Sequence, residues 1–157
     1  MKEETRVFFD SMYAEELRFR RAKAEREKEK ERLIEAEDWD GVAAWHERER
    51  QFRNPHTPGQ CKAYWFYWRS CEIGLDELDV DDSIWQSDIR DFSDTLRAAG
   101  VKSFVITNQS TGLMENIFDL EAQGWQLAGT CKLQSTVTRY SSERTEERLG
   151  LRMLDMR

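Results

Sequence analysis

Apolar residues recur along this chain in rhythms that change several times, and each change marks an element. From Glu3 to about residue 36 there is neither Gly nor Pro, and Glu, Lys, Arg, Ala and Leu dominate. All are good helix formers. Phe9, Tyr13 and Leu17 repeat every four residues with Phe8 and Met12 beside them, so the first half of this helix is amphipathic. From Arg20 to Arg32 the apolar residues shrink to Ala22 and Ala24. That stretch has nothing to bury, and the expectation is a solvated helix that projects from the core. Arg21/Glu25, Lys23/Glu27 and Glu29/Arg32, three or four residues apart, lend it a few tenths of a kcal/mol each. Heptad positions are not sustained, which argues against a coiled coil.

An apolar face returns with Leu33, Ile34, Trp39, Val42, Ala43 and Trp45. Asp38 or Asp40 caps a second helix reaching about Phe52, after a kink or turn near Trp39 to Gly41. Asn54-Pro55-His56-Thr57-Pro58-Gly59 is a dense turn signal that holds both prolines. It divides a charged helical arm, residues 1–54, from an α+β core, residues 55–157.

In the core, Ala63-Tyr64-Trp65-Phe66-Tyr67-Trp68 predicts a helix running to Cys71 or Ile73 and stopping at Gly74, with a strand as the alternative. An acid-rich loop follows. Ile84, Trp85, Ile89, Phe92 and Leu96 then predict a helix over 82–99, with Trp85 and Phe92 on its buried face. Val101 to Thr107 is β-branched and short, a strong strand signal. Ser110 or Thr111 caps a helix whose buried stripe is Leu113, Ile117, Phe118 and Leu120, ended by Gly124. Trp125 to about Thr138 predicts a strand bulged near Gly129. Ser141 to Glu147 reads as a hairpin loop, and Leu149 to Met156 as a last strand. The order implies a small three-stranded mixed sheet with helices on one face.

Charge refines this picture. Of the net −7, residues 1–53 contribute −2, residues 54–100 contribute −5 and residues 101–157 nothing. A nonspecific nucleic-acid binder normally carries an excess of Lys and Arg, so this balance weighs against one. A mean hydropathy of −0.82 would suit a disordered chain, but 6 Trp, 8 Phe and 4 Tyr argue for a packed core. Cys61, Cys71 and Cys131 make no disulfide framework and fit a reducing compartment. The first residues lead into charge rather than an apolar run, and no stretch approaches a membrane span, so the expected setting is cytoplasmic.

Candidate chemistry is sparse. His46, His56 and Cys61 match no strong zinc spacing, and no cysteine has a context that activates its thiolate. No catalytic residue, cofactor or metal is expected. The turn Asn108-Gln109-Ser110-Thr111-Gly112, between a strand and a helix, offers unpaired N–H groups to a phosphate or carboxylate, but it lacks the glycine pattern of a nucleotide site. The aromatic run 64–68 is expected in the core rather than stacked on bases. Between Glu72 and Asp94 nine acids meet one base, Arg90. Spaced carboxylates can substitute for phosphates in a basic groove, which nominates Asp76, Glu77, Asp79, Asp81 and Asp82 as partner-binding residues.

Tyr67-Trp68-Arg69-Ser70, Asp81 to Ile89, Ser110-Thr111-Gly112-Leu113-Met114-Glu115 and Glu121-Ala122-Gln123-Gly124-Trp125 together resemble a family of small uncharacterised proteins from gut Firmicutes, often carried on mobile elements. The likeness spans roughly residues 60–132. It implies a bacterial or phage origin and an accessory role, and it brings no activity or functional residues with it. The leading expectation is a non-enzymatic interaction module, in its sharpest form an anti-CRISPR-type inhibitor of a nucleic-acid-handling or defence complex. Its partner would be another protein or a nucleoprotein. The alternatives are a nucleic-acid-binding regulator using Arg18, Arg20, Arg21, Lys23 and Arg26 of the arm, and a small-ligand or nucleotide binder at residues 108–112.

Overall fold

A computed structural model describes residues 1–139 and 142–157. They form two compact units, Ser11–His56 and Met1–Asp10 together with Thr57–Arg157. Helix α1 (Glu3–Glu35) contributes to both. The first turns of α1 belong with the sheet.

Within Ser11–His56 the charged helix does not project alone. Helix α2 (Trp39–Glu49) runs back along it as an antiparallel hairpin. The turn comes at Ala36–Asp38, ahead of the expected position. Glu37 takes a left-handed φ of 52°, and the Asp38 N–H bonds back to the Leu33 carbonyl, closing α1 with a Schellman-type turn. The Asp38 carboxylate then accepts the Gly41 N–H at 2.9 Å and caps α2. Trp45 is buried and donates its indole N–H to the Arg26 carbonyl at 2.9 Å. Phe19 stacks on Phe52 with centroids 5.0 Å apart. The polar middle of α1 is thus matched by α2: Glu29 pairs with Arg48 at 2.9 Å, and Arg26 with Glu49 at 2.6 Å.

In the other unit, after Met1–Asp10, comes α3 (Pro58–Glu72), which starts six residues before the aromatic run 64–68. Pro58 suits the first helical turn, where its missing N–H costs nothing, and Thr57 with Gln60 forms a capping box. The turn signal at residues 54–59 therefore contains a helix start. Strand β1 (Leu78–Val80) follows, then a 3₁₀ turn (Gln86–Asp88) and α4 (Ile89–Ala98). Strand β2 (Ser103–Ile106), α5 (Leu113–Ala122), β3 (Trp125–Arg139) and β4 (Ser142–Asp155) complete it.

The fold class is α+β as expected, but the mixed sheet has four strands in the order β1-β2-β4-β3. The extra strand, β1, lies inside the acidic loop and pairs parallel to β2. The supposed hairpin loop is also strand: Ser142 to Glu147 pairs with residues 134–139 of β3, and Ser141 falls outside the described residues. A register shift between Leu127 and Thr130 confirms the bulge near Gly129, whose φ is 108°.

An aromatic column fills the core. Phe66 of α3, Phe92 of α4, Phe104 of β2 and Trp125 of β3 meet edge to face in succession, with centroids 6.0, 6.0 and 4.8 Å apart. Phe9, fully buried, stacks on Tyr67 at 4.6 Å, and the Thr5 hydroxyl donates to the Ala99 carbonyl at 2.8 Å. At Gly150 a Cβ would clash with a Val105 methyl, so glycine lets β4 come this close to the Val105 side chain of the neighbouring β2.

Candidate functional site

The acidic belt does not form the open array of carboxylates that the sequence suggested. Asp79 is only 4% exposed and lies on β1. The Thr107 hydroxyl donates to its Oδ1 at 2.6 Å and the Ser135 hydroxyl to its Oδ2 at 2.5 Å, while the Ser70 hydroxyl accepts its backbone N–H at 2.9 Å. Ser135 belongs to the opposite edge strand, so the long β3–β4 hairpin curls back across the sheet to reach β1. Burial pushes the Asp79 carboxyl above its ordinary value, against the pull of the two hydroxyls. Burial and then the nearby Asp79 charge raise Asp81 as well, although Arg69 stands 3.6 Å away and bridges on to Glu143 at 2.5 Å.

Asp82 and Glu77 are engaged too. Burial opposes ionisation of Asp82, but the Lys62 ammonium at 3.0 Å and the Ser83 N–H outweigh it and hold this carboxyl below the usual range. Glu77 accepts Arg152 Nη2 at 2.9 Å on both oxygens. Four of the five nominated acids are therefore held by side-chain or backbone partners at close range, and Asp76, though fully exposed, lies 3.9 Å from the Met1 amino group. On the arm, Arg18 and Arg21 are exposed, whereas Arg26 is half-buried, paired with Glu49 and laid over the Phe52 ring.

The three most exposed large apolar side chains among the described residues, Trp85, Met114 and Phe118, lie elsewhere in the same unit. The helix expected over 82–99 begins only at Ile89, because residues 84–88 form an extended step and a 3₁₀ turn. Phe92 is buried as expected, but Trp85 is 81% exposed, with extended backbone angles, and Ile84 occupies the core in its place. The cause is Asn116 of α5. Its amide nitrogen donates to the Ile84 carbonyl at 2.6 Å and its Oδ1 accepts the Ile84 N–H at 3.0 Å. One side chain thus satisfies both backbone groups of Ile84 and turns the next residue outward.

Asn116 also sets the face of α5. It is buried along with Leu120, one turn further on, which leaves Met114 and Phe118 77% and 72% exposed. Phe118 is therefore not part of the buried stripe. Trp85, Met114 and Phe118 wall a cleft of about 710 Å³, completed by Ser83, Gln86 and the Thr111-Gly112 turn. Glu115 and Asp119, one helical turn apart, are its charged lining residues. The sequence signal for this site was the Met114/Phe118 spacing, offset from Leu113 and Leu120, with a polar Asn116 between them on the buried side.

The Ser110 turn is arranged differently from the expected cap. The Asn108 carboxamide oxygen accepts both the Ser110 N–H at 3.0 Å and its hydroxyl at 2.7 Å, so Ser110 faces back toward β2. Gly112, at φ 100°, starts α5 without a side-chain cap. His56 lies 3.1 Å from the Met12 carbonyl, and His46 packs edge-on to Trp45. Trp65 and Trp68, expected in the core, stack on each other and are partly exposed. Among the described residues, no three His, Cys, Asp or Glu side chains are grouped to hold a metal, and no helix is long and apolar enough to cross a membrane.

A four-stranded mixed sheet, backed by α3 to α5 and carrying this cleft, defines an α+β domain. Residues 62–154 match the family described as Domain of unknown function (DUF7698), more than half of the chain, and the chain belongs to that family. The match takes in the cleft and, beyond the resemblance drawn from residues 60–132, nearly all of the β3–β4 hairpin. No curated protein and no solved structure matches the chain.

Proposed function

We propose that this protein is a non-enzymatic interaction module that docks a partner protein in the cleft between Trp85 and α5. The observation that carries this reading is the exposure of Trp85, Met114 and Phe118 together around one cleft. Leaving side chains of this size in water forgoes about 1.5–3 kcal/mol apiece relative to burial. Isolated exposed apolar residues are common, but a contiguous patch is a mark of interaction surfaces. Asn116 supports the same reading, because a buried amide spent on holding Ile84 keeps Trp85 at the cleft. The acidic loop plays a smaller part here than a phosphate mimic would require, since its carboxylates already have partners.

In its specific form, the module is an accessory inhibitor of a nucleic-acid-handling or defence complex, carried on a bacterial mobile element. Sequence resemblance supports that form, and the cleft supplies its contact surface. The test is affinity capture from the encoding organism with and without nuclease, using the native chain and a Trp85→Ala/Phe118→Ala variant. The expected result is a nuclease-resistant protein held by the native chain and lost by the variant, with both melting alike. Equal capture by the two chains would refute the cleft as the docking surface, and nuclease-sensitive recovery would favour nucleic-acid binding.

A further inference from the structure

The geometry points to a basic amphipathic helix, part of a partner protein, as the occupant of the Trp85–α5 cleft; this rests on the docking reading above. Three observations select it. The first is depth. Pockets for small molecules enclose most of their ligand, but here the three main walls are themselves 72–81% exposed, so the cleft is a groove for a segment of chain. The second is spacing. Met114 and Phe118 sit one turn apart on α5, about 6 Å along its axis, with Trp85 facing the same groove. Apolar anchors at i and i+4 of a bound helix repeat at the same interval. A Met and two aromatic rings also suit such anchors, because a thioether adapts its shape.

The third observation is charge. Every charged residue lining the groove is acidic: Glu115 and Asp119 form a row beside Met114 and Phe118, and no Lys or Arg joins them. A segment with Lys or Arg flanking its apolar face would meet this row favourably, and an acidic one would be repelled. The same row disfavours an anionic membrane surface, which exposed Trp and Phe would otherwise suit.

The experiment titrates the full chain against three labelled 18-residue peptides, followed by fluorescence anisotropy. They are a Leu/Lys amphipathic helix, its Leu/Glu counterpart and a Leu/Lys peptide of scrambled periodicity. The Leu/Lys helix is expected to bind at least about tenfold more tightly than either other peptide. Met114→Ala/Phe118→Ala should weaken it by at least about tenfold. Glu115→Gln/Asp119→Asn should weaken it about threefold to tenfold at low salt and less at high salt. Asp76→Asn/Asp94→Asn removes the same charge elsewhere and should leave binding unchanged.

Equal loss in that distant variant would mean attraction to net charge alone, and the proposal falls. Equal binding of the Leu/Glu helix, still lost on Met114→Ala/Phe118→Ala, overturns the basic partner but leaves the docking cleft standing. Peptide binding untouched by Met114→Ala/Phe118→Ala overturns both. Association with phosphatidylserine vesicles in preference to the Leu/Lys helix would also overturn the basic-helix assignment.

Discussion

The acidic loop from Asp76 to Asp82 and the cleft formed by Trp85 and α5 belong to the same unit, yet they treat their side chains in opposite ways. In the loop, carboxylates turn inward or toward bases of the same chain, and Asp79 is only 4% exposed. At the cleft, a Trp, a Met and a Phe turn outward. In each region the side chain follows the partner that the fold brings to it, against its own hydropathy. Thr107, Ser135 and Ser70 make Asp79 tolerable inside, since a buried polar group is costly mainly when unpaired. Asn116 holds Ile84 inside, and Trp85, the next residue, points outward. The contrast teaches that a buried polar anchor, once satisfied, can decide which neighbouring residue is left for a partner.

Four measurements would break or sharpen that contrast. The largest effect is expected at the core column: Phe92→Ala should cost about 3–5 kcal/mol in urea unfolding, because Phe66 and Phe104 lose the ring that joins them. Next comes Asn116→Ala, which leaves the buried N–H and carbonyl of Ile84 without their partner and should cost about 1–3 kcal/mol. That variant should also weaken binding at the cleft, as Trp85 loses its fixed position. A stability loss with unchanged affinity would detach Asn116 from the site.

The third measurement concerns Asp79. With its carboxyl raised by burial, the folded chain keeps a proton that the unfolded chain has already released. The group's contribution to stability therefore falls as pH rises from the ordinary Asp value through the raised one, and is constant above it. Asp79→Asn keeps an oxygen for Thr107 and an amide that Ser135 can accept, and it cannot ionise. The stability of the variant minus that of the native chain should thus climb across this acid window and then level off. Taking the difference cancels Asp82 and Asp155, whose lowered carboxyls pull the other way. A difference that falls with pH would show that Asp79 is stabilised as its anion. The smallest effect is expected at Trp85→Ala, within about 0.5 kcal/mol in thermal melts, since an exposed ring has little packing to lose. A loss of several kcal/mol would return Trp85 to the core.

Much of the fold is legible from neighbours within four residues. Asp38 caps α2 through the Gly41 N–H. Gly124, at φ 88°, closes α5, and Gly129 marks the bulge in β3. The β-branched run around Ser103–Ile106 announces β2. These features depend on backbone groups that their own residue types satisfy, so chain order suffices to find them.

What the tertiary structure alone decided depends on residues far apart in the chain. Leu78-Asp79-Val80 is too short and too polar to declare itself a strand. It becomes one when β2 offers its edge and Ser70, Thr107 and Ser135 supply partners for Asp79. Ser142 to Glu147 is polar throughout and becomes strand because β3 pairs with it residue by residue. The cleft follows the same rule. Periodicity places Trp85 and Phe118 inside, but Asn116 lies 32 residues from Ile84 in sequence; its two hydrogen bonds hold Ile84 in the core beside an exposed Trp85, and its burial with Leu120 leaves Phe118 on the outer face of α5. Local patterning sets where elements begin and end. Burial of a particular side chain is set by which distant group can satisfy its neighbours, and only the folded chain brings those groups together.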